Sequence, residues 1–238
     1  MKYAIIAAGE GSRLAAEGIA TPKPLVEVGG ERLIDRLIRI FMQHDADEIV
    51  CVCNDRTPLV ASHLAQLQRD GLKGRPVPLR FVVKSTPSSM HSFYEISRYL
   101  TDAPFILTTV DTIFREDEFS RFVDAFRQSA ADGVMGVTGF VDDERPLYVG
   151  TDSQLNITEF SDDSHECRFV SGGIYALQPS AIVTLNNCIA RGEQRMRNFQ
   201  RALLRDGRQL VAWPFSKVLD IDHTSDIRQA EDFLSACK

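Results

Sequence analysis

The sequence predicts an α/β fold built on a mixed, mostly parallel sheet, with a small antiparallel β insertion in the second half. Apolar runs of strand length alternate with segments of helical periodicity from Tyr3 to Thr138, the pattern of strands joined by crossover helices. The first run, residues 3–8, is unbroken, as a strand buried on both faces requires, and it stops at Gly9-Glu-Gly11. Beyond Thr138 the pattern changes to short strand-like stretches separated by turn residues.

Taken in order, residues 31–44 place Leu33, Ile34, Leu37, Ile38 and Phe41 at helical spacing, 48–53 read as a strand and 58–69 as a helix. Glycine and proline mark 71–78 as a loop before a strand at 79–83. Ser85-Thr-Pro-Ser-Ser89 breaks the chain before a helix through Phe93, Ile96 and Leu100. A fourth apolar run, 104–110, ends on Asp111, and a helix across Phe119, Phe122, Val123 and Phe126 leads to a strand at 133–138. Strand-like stretches at 147–150, 155–160 and 168–177 follow, forming an insertion that would close over one side of a site. Helices at 180–190 and 195–205, a strand at 209–214 and an amphipathic helix from Ser225 finish the chain. No internal repeat, low-complexity tract or linker interrupts it, so residues 1–238 read as a single domain.

A hydrophobic content of 44%, with 25% charged residues, suits a globular protein with a real core. The net charge of −6 argues against wholesale nucleic-acid binding but permits a local phosphate pocket. No apolar run is long enough to span a bilayer, and no signal peptide is visible before the first strand. The five cysteines (Cys51, Cys53, Cys167, Cys188, Cys237) follow no metal spacing. Cys51 and Cys53 fall within a strand pattern as buried thiols, and a reducing cytoplasm fits. The oligomeric state is not encoded in any of these features.

The opening turn carries the chemistry. Glycine lets the backbone turn sharply and approach a ligand, and Ser12 and Arg13 add a hydroxyl and a fixed cation beside free backbone N–H groups, which suits a phosphate. Pro22 and Pro24 restrict the backbone on either side of Lys23. The P-loop pattern is absent. A dinucleotide fingerprint would need glycine at Leu14 and would lead straight into a helix, whereas here the chain passes through Gly18, Thr21 and the two prolines in the manner of a lid.

Gly9, Gly11, Ser12 and Arg13, followed after a spacer by Pro22-Lys-Pro-Leu25, resemble the signature of the sugar-phosphate nucleotidyltransferases, or nucleotide-sugar pyrophosphorylases. The resemblance implies a Rossmann-like, three-layer αβα fold and transfer of NMP from an NTP to a sugar phosphate, or to a related phosphomonoester such as phosphocholine, with release of pyrophosphate. It implies nucleotide contacts from Ala7, Ala8, Gly9, Gly11, Ser12, Arg13 and Lys23, and catalytic roles for Arg13, Lys23 and Asp111. Ser88 and Ser89 stand where the family has a small-residue loop that contacts the base.

Asp111 ends a buried-type strand, the place where open α/β sheets bind ligands, and a carboxylate there suits Mg²⁺. Its partner comes from Asp220-Ile-Asp222, which resembles the family's Asp-x-Asp segment near the C-terminus. Asp222 is the choice for the second metal ligand and Asp220 the alternative, since the two would point to opposite faces of a strand. Tyr148 and Gly150, and Gly172 within Ser171-Gly-Gly-Ile-Tyr175, resemble segments around the family's sugar pocket, although Ser161-Asp-Asp replaces the usual acidic-Lys-Pro step between them. Lys217 is favoured for the acceptor's phosphate over Arg191, Arg195 and Arg197, which read at least as well as a solvated helix face. His91, His165 and His223 support no zinc site and are assigned solvated or capping roles. Two other readings remain: a glycosyltransferase, although Val110-Asp111-Thr112 offers a single carboxylate where such enzymes have two, and a non-catalytic nucleotide- or sugar-sensing module, although Arg13, Lys23 and Asp111 are all retained.

Overall fold

The computed structural model describes residues 1–141, 145–164 and 167–236, so His165 and Cys237 lie outside the described residues. Strand β1 (Lys2–Ala7) leads through the glycine turn to helix α1 (Ser12–Ala16), a 3₁₀ turn (Lys23–Leu25), a hairpin of β2 (Glu27–Val28) and β3 (Glu31–Arg32), and helix α2 (Leu33–Gln43). Then come β4 (Glu48–Cys53), α3 (Pro58–Asp70), β5 (Leu79–Val83), α4 (Ser89–Ser97), β6 (Phe105–Thr109), β7 (Thr112–Ile113), α5 (Glu116–Gln128) and β8 (Gly133–Thr138). The second half adds β9 (Tyr148–Thr151), β10 (Ile157–Ser161), β11 (Phe169–Leu177), α6 (Ala181–Ala190), α7 (Met196–Arg205), β12 (Leu210–Phe215), β13 (Leu219–Asp220) and α8 (Thr224–Ser235).

Strands β5, β4, β1 and β6 pair in parallel, as do β8 and β12, while β11 runs antiparallel between β6 and β8. The sheet therefore runs in one direction except at β11 and at β10, the outer strand of the β9–β10 hairpin beside it. The alternating side chains of β1 explain the layers. Tyr3, Ile5 and Ala7 pack on one face with α2, α3, α5 and α8, while Ala4 and Ile6 pack on the other with α4, α6 and α7. This three-layer arrangement is the one that the unbroken apolar runs require.

Two local expectations are corrected, and the antiparallel insertion is found where it was expected, joined to the sheet. The chain does enter a helix after the glycine turn: Ser12–Ala16 form α1, which ends within two turns, before Gly18. Glu31 and Arg32 belong to a hairpin rather than to α2, because Gly29 and Gly30 both take positive φ and turn the chain back on itself. The β9–β10 pair is an extension of the main sheet: β11 changes register between Ser171 and Ile174, across Gly172 and Gly173, and its first residues pair with β9 instead of β6.

Candidate active site

Asp111 and Asp222 meet through a pairing that neither segment announces. The two-residue strands β7 and β13 run antiparallel, with Asp220 opposite Thr112. The next residue continues the ladder, Ile221 N–H donating to the Asp111 carbonyl at 3.2 Å. Asp222 is thereby carried to the end of β6, beside the glycine turn that follows β1. Its own backbone N–H donates to Asp226 Oδ2 at 2.9 Å and that of His223 at 2.6 Å, which fixes the exit into α8.

Lys23 joins the two carboxylates. Its ammonium donates to Asp111 Oδ2 at 2.6 Å and to Asp222 Oδ1 at 2.7 Å, while Arg13 Nη1 donates to Asp222 Oδ2 at 2.6 Å. The Lys23 side chain is only 9% exposed, which in isolation would drive it to lose its proton. Burial does push its pKa down, but Asp111 and Asp222 outweigh burial and hold it above the usual lysine value. Burial likewise pushes Asp222 up, and Lys23, Arg13 and His223 overcome this to hold its carboxyl below the usual range. Both groups are therefore charged at neutral pH.

The glycine turn packs directly on this lysine. Gly11 has φ +63°, and a Cβ at that position would come within 3.2 Å of Lys23 Cβ. Asn54, at the end of β4, donates to the Gly9 carbonyl at 3.0 Å and anchors the turn from the other side. Two cavities flank the bridge. One, of about 410 Å³, is lined by Ala7, Ala8, Gly9, Gly11, Lys23, Ser88, Ser89 and Asp111, and the other, of about 240 Å³, by Arg13, Phe140, Gly172, Asp220 and Asp222. The first falls in the size range of small-molecule sites.

Most of the residues expected at the site thus converge, with differences. Asp222 shares Lys23 with Asp111, and Asp220 lines the adjoining cavity. Ser12 opens α1 at the surface. Lys217 is not among the residues lining either cavity: its ammonium lies over the Phe140 ring, 4.0 Å from the centroid. Tyr148 lines a third cavity, with Arg195 and Arg197. Gly150 answers a packing demand, since a Cβ there would lie 2.6 Å from Glu159 Cγ. His91 accepts or donates a 2.9 Å bond with Ser88 Oγ, and His223 caps α8.

Glu17, just past α1, escapes any sequence argument. Its carboxylate accepts from Thr224 N and Oγ1 at 2.7 and 2.8 Å and pairs with His223 Nδ1 at 2.5 Å, tying α1 to the start of α8. The His223 contact, with Thr224, lowers the Glu17 pKa to about 2. Asp226 was half visible, as the acidic third residue of a capping box, but histidine is an unusual first member.

The family model described as nucleotidyl transferase matches residues 2–236. The chain belongs to the nucleotidyl transferase family. Among the curated members of similar sequence, glucose-1-phosphate cytidylyltransferase of Salmonella typhimurium is 31% identical over 27% of this chain and 25% of its own length. The bifunctional IPC transferase and DIPP synthase of Rubrobacter xylanophilus is 26% identical over 97% of this chain and 51% of its own length. This nucleotidyl transferase chain thus spans between a quarter and a half of these relatives. Solved structures share its fold: a putative glucose-1-phosphate thymidylyltransferase from Bacillus anthracis has a TM-score of 0.83 at 20% identity, covering 98% of this chain and 94% of its own. The inositol-1-phosphate CTP transferase from T. maritima has a TM-score of 0.77 at 16% identity, covering 98% and 97%. Among the described residues no helix is long and apolar enough to cross a membrane.

Proposed function

We propose that this member of the family transfers a nucleoside monophosphate from an NTP to a small phosphomonoester, releasing pyrophosphate and forming an activated, nucleotide-linked product. The observation that carries this reading is the Lys23 ammonium, buried and charged, held between Asp111 and Asp222 where the two cavities adjoin. The NTP occupies the cavity along Ala7–Gly11 and Ser88–Ser89, and the acceptor approaches from the side of Arg13 and Asp222. The acceptor's phosphate is already ionised at neutral pH, so its oxygen bonds to the α-phosphorus without a protein base. The bond from that phosphorus to the bridging oxygen breaks, and pyrophosphate leaves with the electron pair. Lys23 and Arg13 position the two anions and neutralise the charge that accumulates in the transition state.

The same carboxylates fit Mg²⁺. Asp111 Oδ2 and Asp222 Oδ1 both lie within 2.7 Å of one ammonium nitrogen, so the pair can face a single cation. Among the described residues no set of three or more His, Cys, Asp or Glu side chains forms a metal cage, and Mg²⁺ characteristically takes one or two carboxylates and fills its shell with phosphate oxygens and water. When bound, the ion would polarise the α-phosphate. Free thiols at Cys51, Cys53, Cys167 and Cys188 support placing the reaction in a reducing, cytoplasmic compartment. The substrates are small molecules, with no nucleic acid or membrane partner. A pyrophosphate-release screen of the four NTPs against a panel of phosphomonoesters, with Mg²⁺, tests this: at least one pair should turn over, and silence across the panel would defeat it.

A further inference from the structure

We propose that the third cavity, between the β9–β10 hairpin and the start of α7, receives the non-reacting end of the acceptor, and that this end carries a second anionic group, a carboxylate or a phosphate. The proposal rests on the nucleotidyltransferase reading above and names the acceptor class for that site. The cavity, of about 670 Å³, is lined by Tyr148, Asp162 and four arginines: Arg145, Arg195, Arg197 and Arg201. Among the described lining residues there are thus four arginines and one carboxylate.

That carboxylate is committed. Asp162 pairs with Arg197 through one oxygen and with Arg201 through the other, at 2.8 Å in the second case. Arg197 also donates to the Arg145 carbonyl at 2.8 Å, and Arg201 to the Phe160 carbonyl at 3.0 Å. Two arginines are therefore held in place before any ligand arrives, and among the described lining residues cationic side chains outnumber carboxylates. Arg195 adds a second observation. Its backbone takes φ 70° and ψ 142°, a conformation that costs a residue with a side chain. Its N–H is directed at Ser88 Oγ, 3.4 Å away.

The cavity adjoins both halves of the reacting site. Ser88 lines the glycine-turn cavity, and Pro146 lines both this cavity and the one holding Arg13 and Asp222. A molecule whose phosphate is presented near Lys23 can thus extend its far end among the arginines. Guanidinium groups only donate hydrogen bonds, in a planar fork that matches carboxylate and phosphate oxygens. Gln194 and Asn198 also line the cavity and bring amide groups, so the preference for an anion rests on the arginines, which outnumber carboxylates among the described lining residues. A cationic acceptor such as phosphocholine would meet repulsion.

The test compares acceptors that differ only at the far end. Glucose 1-phosphate, glucuronate 1-phosphate and glucose 1,6-bisphosphate form one series, and glycerol 3-phosphate with 3-phosphoglycerate a smaller one. Calorimetric titration of the full chain, with and without a nucleoside diphosphate, should show the anionic member of at least one series binding about tenfold or more tighter than its neutral partner. The two glucose arms separate carboxylate from phosphate. Arg195→Gln should remove most of that preference without moving the neutral member, and Arg195→Lys should keep part of it; equal loss for both members would mark a structural role and overturn the proposal. Equal or tighter binding of the neutral members would also overturn it. Pyrophosphate release with neutral acceptors alone would leave the proposed function standing while removing this inference, whereas charge-selective binding without turnover would do the reverse.

Discussion

Lys23 and Asp222, 199 positions apart in sequence, are joined by a 2.7 Å hydrogen bond, and the same ammonium holds Asp111 at 2.6 Å. Two carboxylates so placed would repel each other strongly in a half-buried site. Lys23 removes that repulsion from the free protein, and in the proposed reaction it would exchange carboxylate oxygens for phosphate oxygens when a nucleotide arrives. Under that proposal one residue would serve both the integrity of the site and its chemistry.

Lys23→Ala should lower kcat for pyrophosphate release on the order of a hundredfold or more, the typical loss when one charge contact to a transferring group is removed. A melting curve run beside the assay separates this from unfolding, since the variant also leaves Asp111 and Asp222 facing each other. A variant that melts normally and keeps near-normal kcat with every active NTP would remove Lys23 from the reaction.

Asp111→Asn and Asp222→Asn should each reduce turnover by a similar order of magnitude and weaken NTP binding when Mg²⁺ is present. Chelation with EDTA should abolish pyrophosphate release, and added Mg²⁺ should restore it. Asp220→Asn provides the internal comparison, because Asp220 lines the adjoining cavity while Asp222 touches Lys23. A larger loss from Asp220→Asn than from Asp222→Asn would reverse the assignment of the second carboxylate.

The sequence made some of this legible and concealed the rest for physical reasons. The strands at 48–53, 79–83 and 133–138 coincide with the observed ones, because runs of apolar residues closed by glycine, proline or asparagine leave little freedom at either end. The Gly9–Arg13 turn and Lys23 were readable for a related reason: glycine and proline constrain the backbone whatever the tertiary context. The β7–β13 pair was not readable, since two residues per strand cannot display a period. Helix α1 is too short to show one either. The arginine cavity draws on the hairpin and on α7, 33 positions apart at Asp162 and Arg195, so only the folded chain reveals that Arg195 and Arg197 share a wall rather than coat an open helix.

Gly11→Ala tests the glycine turn by itself. Alanine at φ +63° costs about 1–2 kcal/mol in backbone strain, and its Cβ would press on Lys23 Cβ from 3.2 Å. The expected result is a modest fall in melting temperature with a larger rise in KM for the NTP, because the lysine proposed to contact the phosphates must shift. Gly9→Ala makes the contrast, since a Cβ there meets nothing within 4 Å. Equal effects of the two substitutions on KM would show that the packing of Gly11 on Lys23 has no part in nucleotide binding.

A last prediction concerns stability away from the site. Arg39, on α2, bridges Glu31 and Glu116, donating to each through two hydrogen bonds of 2.7–2.9 Å. Arg39 lowers the Glu116 pKa below its usual value, against the opposing effect of partial burial. A carboxyl depressed in the folded state adds stability that is fully present above its unfolded value, about 4.3, and is lost as pH falls through the lower folded value. Glu116 is 41% exposed, so solvent screening limits the gain to about 1 kcal/mol or less. Glu116→Gln should therefore melt below the wild type by a constant margin from pH 7 to about pH 5, and the margin should close as the pH falls further. A margin that stays unchanged down to pH 3 would mean that Glu116 holds α5 through its shape and hydrogen bonds rather than through its charge.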